Sequence, residues 1–318
     1  MPTLDELPPL FFRIVGTIFG LLWGSFLNVV IHRVPAGLSV VSPPSHCPQC
    51  QTPIRIRDNL PVFGWLFLRG KARCCGAPIS PRYPLVEAAG GLVALAIVEA
   101  VILALPGDTS LGRVVAIFVA DLALALGLIA ASFIDIEHLY IPDSISLGGA
   151  VVGLATASLR GMSFKDSLLG AVVGFVMVWL PFDFLYRKLR GRTGMAQGDA
   201  RLVLLAGAWF GIPGAVFALL AGAVQGSLGA IVLLLTKGSL EDPAAIERER
   251  AAIRAEIAEL PEEERAAAEE ELKNDPLFEE NASGVLGVRL PFGPFLALAT
   301  IEFLLLGRFI EPYLSLTP

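Results

Sequence analysis

Charge is scarce in this chain. Asp, Glu, Lys and Arg make up only 17% of its 318 residues, 54% are hydrophobic, and mean hydropathy is +0.68. Soluble domains carry roughly 25% charged residues, so an ordinary soluble fold is excluded. Histidine is scarcer still: His32, His46 and His138 are the whole supply, and none stands in a recognisable nucleophile motif, which argues against Ser–His or Cys–His chemistry. The four cysteines all fall in one loop, about 32–83. No Gly-rich nucleotide signature follows a strand, and no convincing internal repeat marks the chain as a two-halved transporter. With a net charge of −6, nothing suggests nucleic-acid binding. The first apolar run has no basic stretch before it, only Asp5 and Glu6. No small-x-small cleavage site follows it, so it is expected to be a retained span rather than a cleaved signal peptide.

Long apolar runs are what the chain has in abundance. A hydrocarbon core about 30 Å thick needs roughly 20 apolar residues per helix. On that measure the sequence predicts an all-α, polytopic membrane protein with about eight transmembrane helices, at roughly 11–31, 84–105, 112–134, 142–159, 167–186, 199–211, 213–236 and 291–311. Gly211-Ile212-Pro213-Gly214 divides the sixth from the seventh. Arg33, Arg55, Arg57, Arg69, Lys71, Arg73 and Arg82 fill the loop after the first span, and Arg187, Lys188, Arg190 and Arg192 the loop before Asp199. Excess Lys and Arg marks the cytoplasmic side, and eight spans put both loops there. Lys237 to Glu280 holds 15 acids against 6 bases, a net of −9, and reads as a cytoplasmic acidic helical insertion that is solvated rather than catalytic. The expected division is a first helix (1–31), a cytoplasmic cysteine-bearing loop domain (32–83), a transmembrane core (84–236), the acidic insertion (237–290) and a last helix (291–318).

Within that frame Asp135 ends one apolar run and Asp199 opens another, both at the expected cytoplasmic boundary. Ionisable groups at membrane depth are costly and are functional candidates by default. Two carboxylates that meet can share a proton, as in aspartyl proteases. Asp199 also suits a helix N-cap, a role compatible with catalysis. Asp143 reads as a cap, Asp183 as a cap or the partner of a loop base, and Glu137 and His138 as loop residues near Asp135. Asp121 lies inside a span with no partner evident in the sequence.

Cys47-Pro48-Gln49-Cys50 has the spacing of a zinc knuckle. The second pair, Cys74-Cys75, is adjacent. Neighbouring side chains point apart in most backbone conformations, so both can bind one metal only through a distorted turn. His46 is an alternative ligand. Disulfides are not expected in a loop assigned to the reducing cytoplasm.

Several segments together resemble the type IV prepilin peptidases. They are Gly24-Ser25-Phe26-Leu27-Asn28 through Arg33-Val34-Pro35, Cys47-Pro48-Gln49-Cys50, Ala77-Pro78-Ile79-Ser80-Pro81-Arg82-Tyr83-Pro84-Leu85-Val86-Glu87, Phe133-Ile134-Asp135 with Ile141-Pro142-Asp143, and Leu290-Pro291-Phe292-Gly293-Pro294-Phe295. The resemblance runs nearly end to end. Three departures stand out. Ala196-Gln197-Gly198-Asp199 replaces the family's Gly-x-Gly-Asp, Ala72 stands where the second knuckle's first cysteine belongs, and the acidic block is longer than usual.

The resemblance implies an intramembrane aspartyl endopeptidase of the bacterial inner membrane with Asp135 and Asp199 as its catalytic pair. It would remove the leader of type IV prepilins or pseudopilins after a glycine at the cytoplasmic face. It also implies N-methylation of the new terminus from S-adenosylmethionine, while the cysteine spacing makes Cys47, Cys50, Cys74 and Cys75 the candidate ligands of a structural zinc. Glu87 would support substrate binding or methyl transfer. The rival reading is a proton- or cation-coupled transporter using Asp121, Asp135 and Asp199. It fits less well because two of the three acids lie at one interface and not at the midplane. A scaffold built on the cysteine loop and the acidic block is the third reading.

Overall fold

The computed structural model describes residues 2–190, 197–237, 244–259, 261, 265 and 291–314. Among these it is helical throughout, with no strands beyond isolated bridges. The helices are α1 (Pro9–Arg33), α2 (Phe63–Phe67), α3 (Arg82–Ala100), α4 (Leu111–His138), α5 (Asp143–Ala155), α6 (Phe164–Val178), α7 (Tyr186–Arg190), α8 (Gln197–Lys237), α9 (Ala244–Glu259) and α10 (Gly293–Leu314). A π-helical segment, Trp179–Leu185, joins α6 to α7. Six helical segments are long and apolar enough to cross a membrane by length and composition, and α5 is a shorter apolar helix. Most of the acidic insertion, and Ala196 with it, lies outside the described residues.

The helices associate through small residues. Without a hydrophobic driving force between helices in lipid, close approach of backbones must supply the attraction. Gly16, Gly20 and Gly24 line one face of α1 at four-residue intervals, all buried. A Cβ on Gly24 would lie 2.9 Å from the Glu87 carbonyl oxygen of α3, so that contact requires glycine. Gly170 and Gly174 of α6 meet α8 in the same way, a Cβ on Gly174 falling 2.6 Å from the Val203 carbonyl.

A straight α8 of 41 residues would be about 60 Å long, twice a hydrocarbon core. It doubles back instead. Gly211 has φ 68° and ψ −164°, outside helical space, and Pro213 follows without an amide donor. A Cβ on Gly214 would lie 3.3 Å from the carbonyl of Ala206, eight residues earlier, so the two arms lie side by side at the turn.

Two clusters of buried side chains share α4. One joins α1, α3 and α4 through Leu27, Ile31, Val86, Ile97, Ile117 and Ile134. The other joins α4, α5, α6, α8 and α10 through Leu128, Ala150, Val203, Leu205, Trp209 and Leu296. Large apolar side chains also stay exposed on the outer helix faces, such as Ile14 and Ile18 on α1 and Leu169 and Val172 on α6, as a lipid solvent allows.

Candidate active site and cysteine cluster

Asp135 lies in the last turn of α4 and is 6% exposed. The helix stops just beyond it, at Leu139, whose left-handed conformation (φ 54°) directs its amide back to the Asp135 carbonyl at 2.8 Å. The Asp135 carboxylate accepts a hydrogen bond from the backbone amide of Gly293 at 3.0 Å, at the first residue of α10. An anion at a helix N-terminus meets free N–H groups and the positive end of the helix dipole. A Cβ on Gly293 would lie 2.6 Å from that same carboxylate oxygen, so only glycine lets α10 approach this closely.

Asp199 is the third residue of α8 and is also 6% exposed. Ile141 is buried in the loop between α4 and α5. A Cβ on Gly198, beside Asp199, would lie 3.2 Å from Ile141 Cδ1, and a Cβ on Gly293 would lie 3.0 Å from the same atom. One isoleucine therefore packs against both glycines that flank the acids. Sequence alone marks the segments that hold Ile141 and Gly293 but gives neither residue a task. The glycine opening the last helix was the available signal.

Ion pairs brace the surrounding helix ends. Arg201 on α8 pairs with Asp143, the first residue of α5, while the N-cap of α5 is Pro142; the carboxylate expected to cap binds a neighbouring helix instead. Asp183 is buried and pairs with Arg187, with Gln197 Nε2 at 3.4 Å, in line with its expected structural role. Arg82 at the start of α3 pairs with Glu137 in the last turn of α4. Asp121, 1% exposed, lies within electrostatic reach of Arg160, the partner the sequence did not reveal. Arg160 also stacks on the Trp209 ring at 4.2 Å and donates to the Gly153 carbonyl at 2.7 Å.

Glu87, buried in α3, accepts from Ser25 Oγ of α1 at 2.7 Å and from the Val62 amide at 2.6 Å. Asn28 Nδ2 donates to the Tyr83 carbonyl at 3.2 Å. The Val62 bond fastens the cysteine-bearing loop to α3, and the other two join α1 to α3.

The sulfurs of Cys47, Cys50, Cys74 and Cys75 all lie within 4.8 Å of one another and could hold a metal ion. Cys50 and Cys74 are 3.2 Å apart, Cys47 and Cys75 3.7 Å, and Cys74 and Cys75 3.9 Å. A zinc tetrahedron with Zn–S near 2.3 Å separates its sulfurs by about 3.8 Å, so the donor set fits. Cys50 is pulled down to about 6, first by the Thr52 hydroxyl, whereas Cys74 is pushed up to about 12, first by its bond to Cys50.

Two turns of one design build the cluster. In the first, the Cys47 amide bonds the Thr52 carbonyl at 2.9 Å and the Gln51 amide the Cys47 carbonyl at 2.9 Å, with Gln51 at φ 58°. In the second, the Ala72 amide bonds the Ala77 carbonyl at 2.7 Å and the Gly76 amide the Ala72 carbonyl at 2.8 Å, with Gly76 at φ 74°. Position for position, Ala72 answers to Cys47 and Cys75 to Cys50. Cys74 answers to Gln49, yet its sulfur reaches the cluster. Contrary to the expectation that adjacent side chains point apart, Cys74 and Cys75 both turn their sulfurs into the cluster.

The fold and site define a class: a multi-span helical membrane protein with two buried carboxylates at helix mouths and a four-cysteine cluster in a connecting loop. Comparison with known proteins narrows it. The Bacterial Peptidase A24 N-terminal domain matches residues 18–101, and the Type IV leader peptidase family matches residues 122–232. A Myxococcus xanthus protein named prepilin leader peptidase/N-methyltransferase is 33% identical over 341 residues, covering 98% of this chain and 95% of the relative. Proteins of the same name from Klebsiella pneumoniae (40% identical over 199 residues, 60% of this chain and 82% of the relative) and Stutzerimonas stutzeri (37% over 233 residues, 64% and 74%) are also similar. No solved structure matches the chain. The chain belongs to the type IV leader peptidase family.

Proposed function

We propose that this chain is a prepilin leader peptidase and N-methyltransferase, cleaving type IV prepilins or pseudopilins with Asp135 and Asp199 as its catalytic pair. The observation that supports this reading is that the Gly293 amide binds Asp135 while Ile141 packs against both Gly293 and Gly198, the residue before Asp199. The substrate's apolar helix lies in the bilayer and its scissile bond at the helix mouths. One aspartate, deprotonated, takes a proton from water; the other, protonated, donates to the scissile carbonyl, and the roles exchange as the amide leaves. The pair titrates as a unit, so the shared proton belongs to both. The Gly293 amide is the fixed dipole that orients Asp135. A transporter path gains no support from the family match or from the named relatives.

The enzyme is a multi-pass protein of the bacterial inner membrane. Its basic loops, and with them the site, face the cytoplasm. We divide it into the first helix, the cysteine-bearing domain at 32–83, the peptidase core at 84–236, the acidic insertion at 237–290 and the last helix. Cys47, Cys50, Cys74 and Cys75 would hold a structural zinc that fixes the loop. When bound, S-adenosylmethionine supplies the methyl group for the new pilin terminus. Purified protein incubated with a prepilin tests the reading by mass. Loss of the leader supports it. Intact prepilin, with a relative active in parallel, sinks it.

A further inference from the structure

The cysteine-bearing loop carries an apolar ridge on its surface. Ile56 is 89% exposed, Phe67 77%, Phe63 55% and Leu66 53%. Ile54 and Leu60 are exposed beside them, and the Phe63 and Phe67 rings stack at 6.3 Å. A domain standing free in water rarely shows so much contiguous apolar surface without an interaction to cover it. The ridge is rigidly mounted on its other side. Gly64 is buried, Trp65 Nε1 donates to the Ile79 carbonyl at 3.0 Å, and the Val62 amide, just before α2, donates to the Glu87 carboxylate.

The last bond fixes the ridge's height. Glu87 lies five residues into α3, about 7.5 Å along its axis from Arg82. Because Val62 is hydrogen-bonded to that side chain, α2 starts level with the opening turns of a membrane-spanning helix and not above them. The loop is also held at the membrane at both ends, by α1 and α3. Its charge completes the pattern. From 34 to 81 it holds five bases, Arg55, Arg57, Arg69, Lys71 and Arg73, against the single acid Asp58. Arg73 binds that acid at 2.9 Å, leaving four exposed bases beside the ridge. Apolar and aromatic side chains ringed by Lys and Arg at this level are the chemistry of a segment lying in a headgroup layer.

We infer that α2 and the residues leading into it form a foot that sits in an anionic lipid surface, with Phe63, Leu66 and Phe67 in the acyl boundary and the bases among the headgroups. The foot sets how the cysteine-bearing domain stands over the helix mouths.

Photo-crosslinking of the full chain in nanodiscs tests this. Phe67→p-benzoylphenylalanine is compared with the same replacement at Leu22, on the outer face of α1, and at Gln49, on the first knuckle. In discs of phosphatidylcholine and phosphatidylglycerol at about 3:1, positions 67 and 22 should give lipid adducts by mass, and position 49 at least about fivefold fewer. In phosphatidylcholine alone, the yield at 67 should fall about twofold or more while that at 22 holds. Three outcomes overturn the inference: no lipid adduct at 67 when 22 reacts, adducts at 67 to a second copy of the chain, or equal yields at 67 and 49. An unchanged yield at 67 without phosphatidylglycerol overturns the role of the anionic headgroup.

Discussion

Asp135 and Asp199 come from different long helices, and the glycine beside Asp199 and the glycine bonded to Asp135 both pack against Ile141. The four cysteine sulfurs are gathered by two short turns with the same hydrogen bonds, 47–52 and 72–77. The two sites therefore tolerate change differently. In the turns, position 72 lacks a cysteine and the sulfur of Cys74 joins the cluster in its place. At the helix mouths no such exchange is open. A carboxylate moved by one residue on α4 would turn about 100° away, and α10 leaves no room for a side chain where its first amide meets Asp135.

The contrast can be broken most sharply at the acids. Asp135→Asn and Asp199→Asn should each lower cleavage at least about 10³-fold, on the order of 4 kcal/mol of transition-state stabilisation. The double variant should be hardly worse than either single, and metal content should not change. Near-parental processing by either single, at normal membrane levels, would end the two-aspartate mechanism.

Gly293→Ala tests the supporting contact. The added methyl pushes α10 off the Asp135 carboxylate, so kcat should fall roughly 10- to 100-fold with KM within about threefold. Unchanged kcat would mean the amide does not orient the acid.

Changes at the cysteines should be milder for cleavage. Protein purified without added metal should carry about one zinc per chain by elemental analysis. Cys47→Ser should lose the zinc and loosen the loop, shown by faster proteolysis of 32–83, while retaining peptidase activity. Moving the ligand back, with Ala72→Cys and Cys74→Ala together, should retain the zinc, whereas Cys74→Ala alone should lose it. Zinc retention by the single variant would show that Cys74 is not a ligand.

The smallest effect is expected from the acidic block. Replacing residues 241–280 by a short Gly/Ser linker should leave cleavage within about tenfold, below roughly 1.4 kcal/mol. Complete loss in a folded variant would give the block a part in the reaction.

Much of this was legible in the sequence, because membrane helices announce themselves by length and apolarity alone. The break at Gly211 was legible too, since Gly and Pro constrain the backbone directly. The contact partners were not. Nothing about Asp121 names Arg160, because the turn after α5 brings that charge within electrostatic reach only in the folded chain. Nothing about Gly293 names Asp135, because the bond is made by a backbone amide, which every residue but proline possesses. The convergence of Cys74 and Cys75 is legible only as a condition, that both can bind one metal if the turn departs from average backbone geometry; the sequence does not show that it does.

The fold-back of α8 has a consequence for the bilayer itself. Its first arm, residues 197–210, measures about 21 Å at 1.5 Å per residue, roughly 9 Å short of a typical hydrocarbon core. Hydrophobic mismatch of that size is met by thinning the surrounding lipid or by drawing the polar end of the arm inward. Asp199 is at that polar end. With Asp199 in the proposed catalytic pair, either response would lower the height at which a substrate helix must present its peptide bond, and the length of one short arm would meter how far an apolar segment has to rise out of the membrane to be cut.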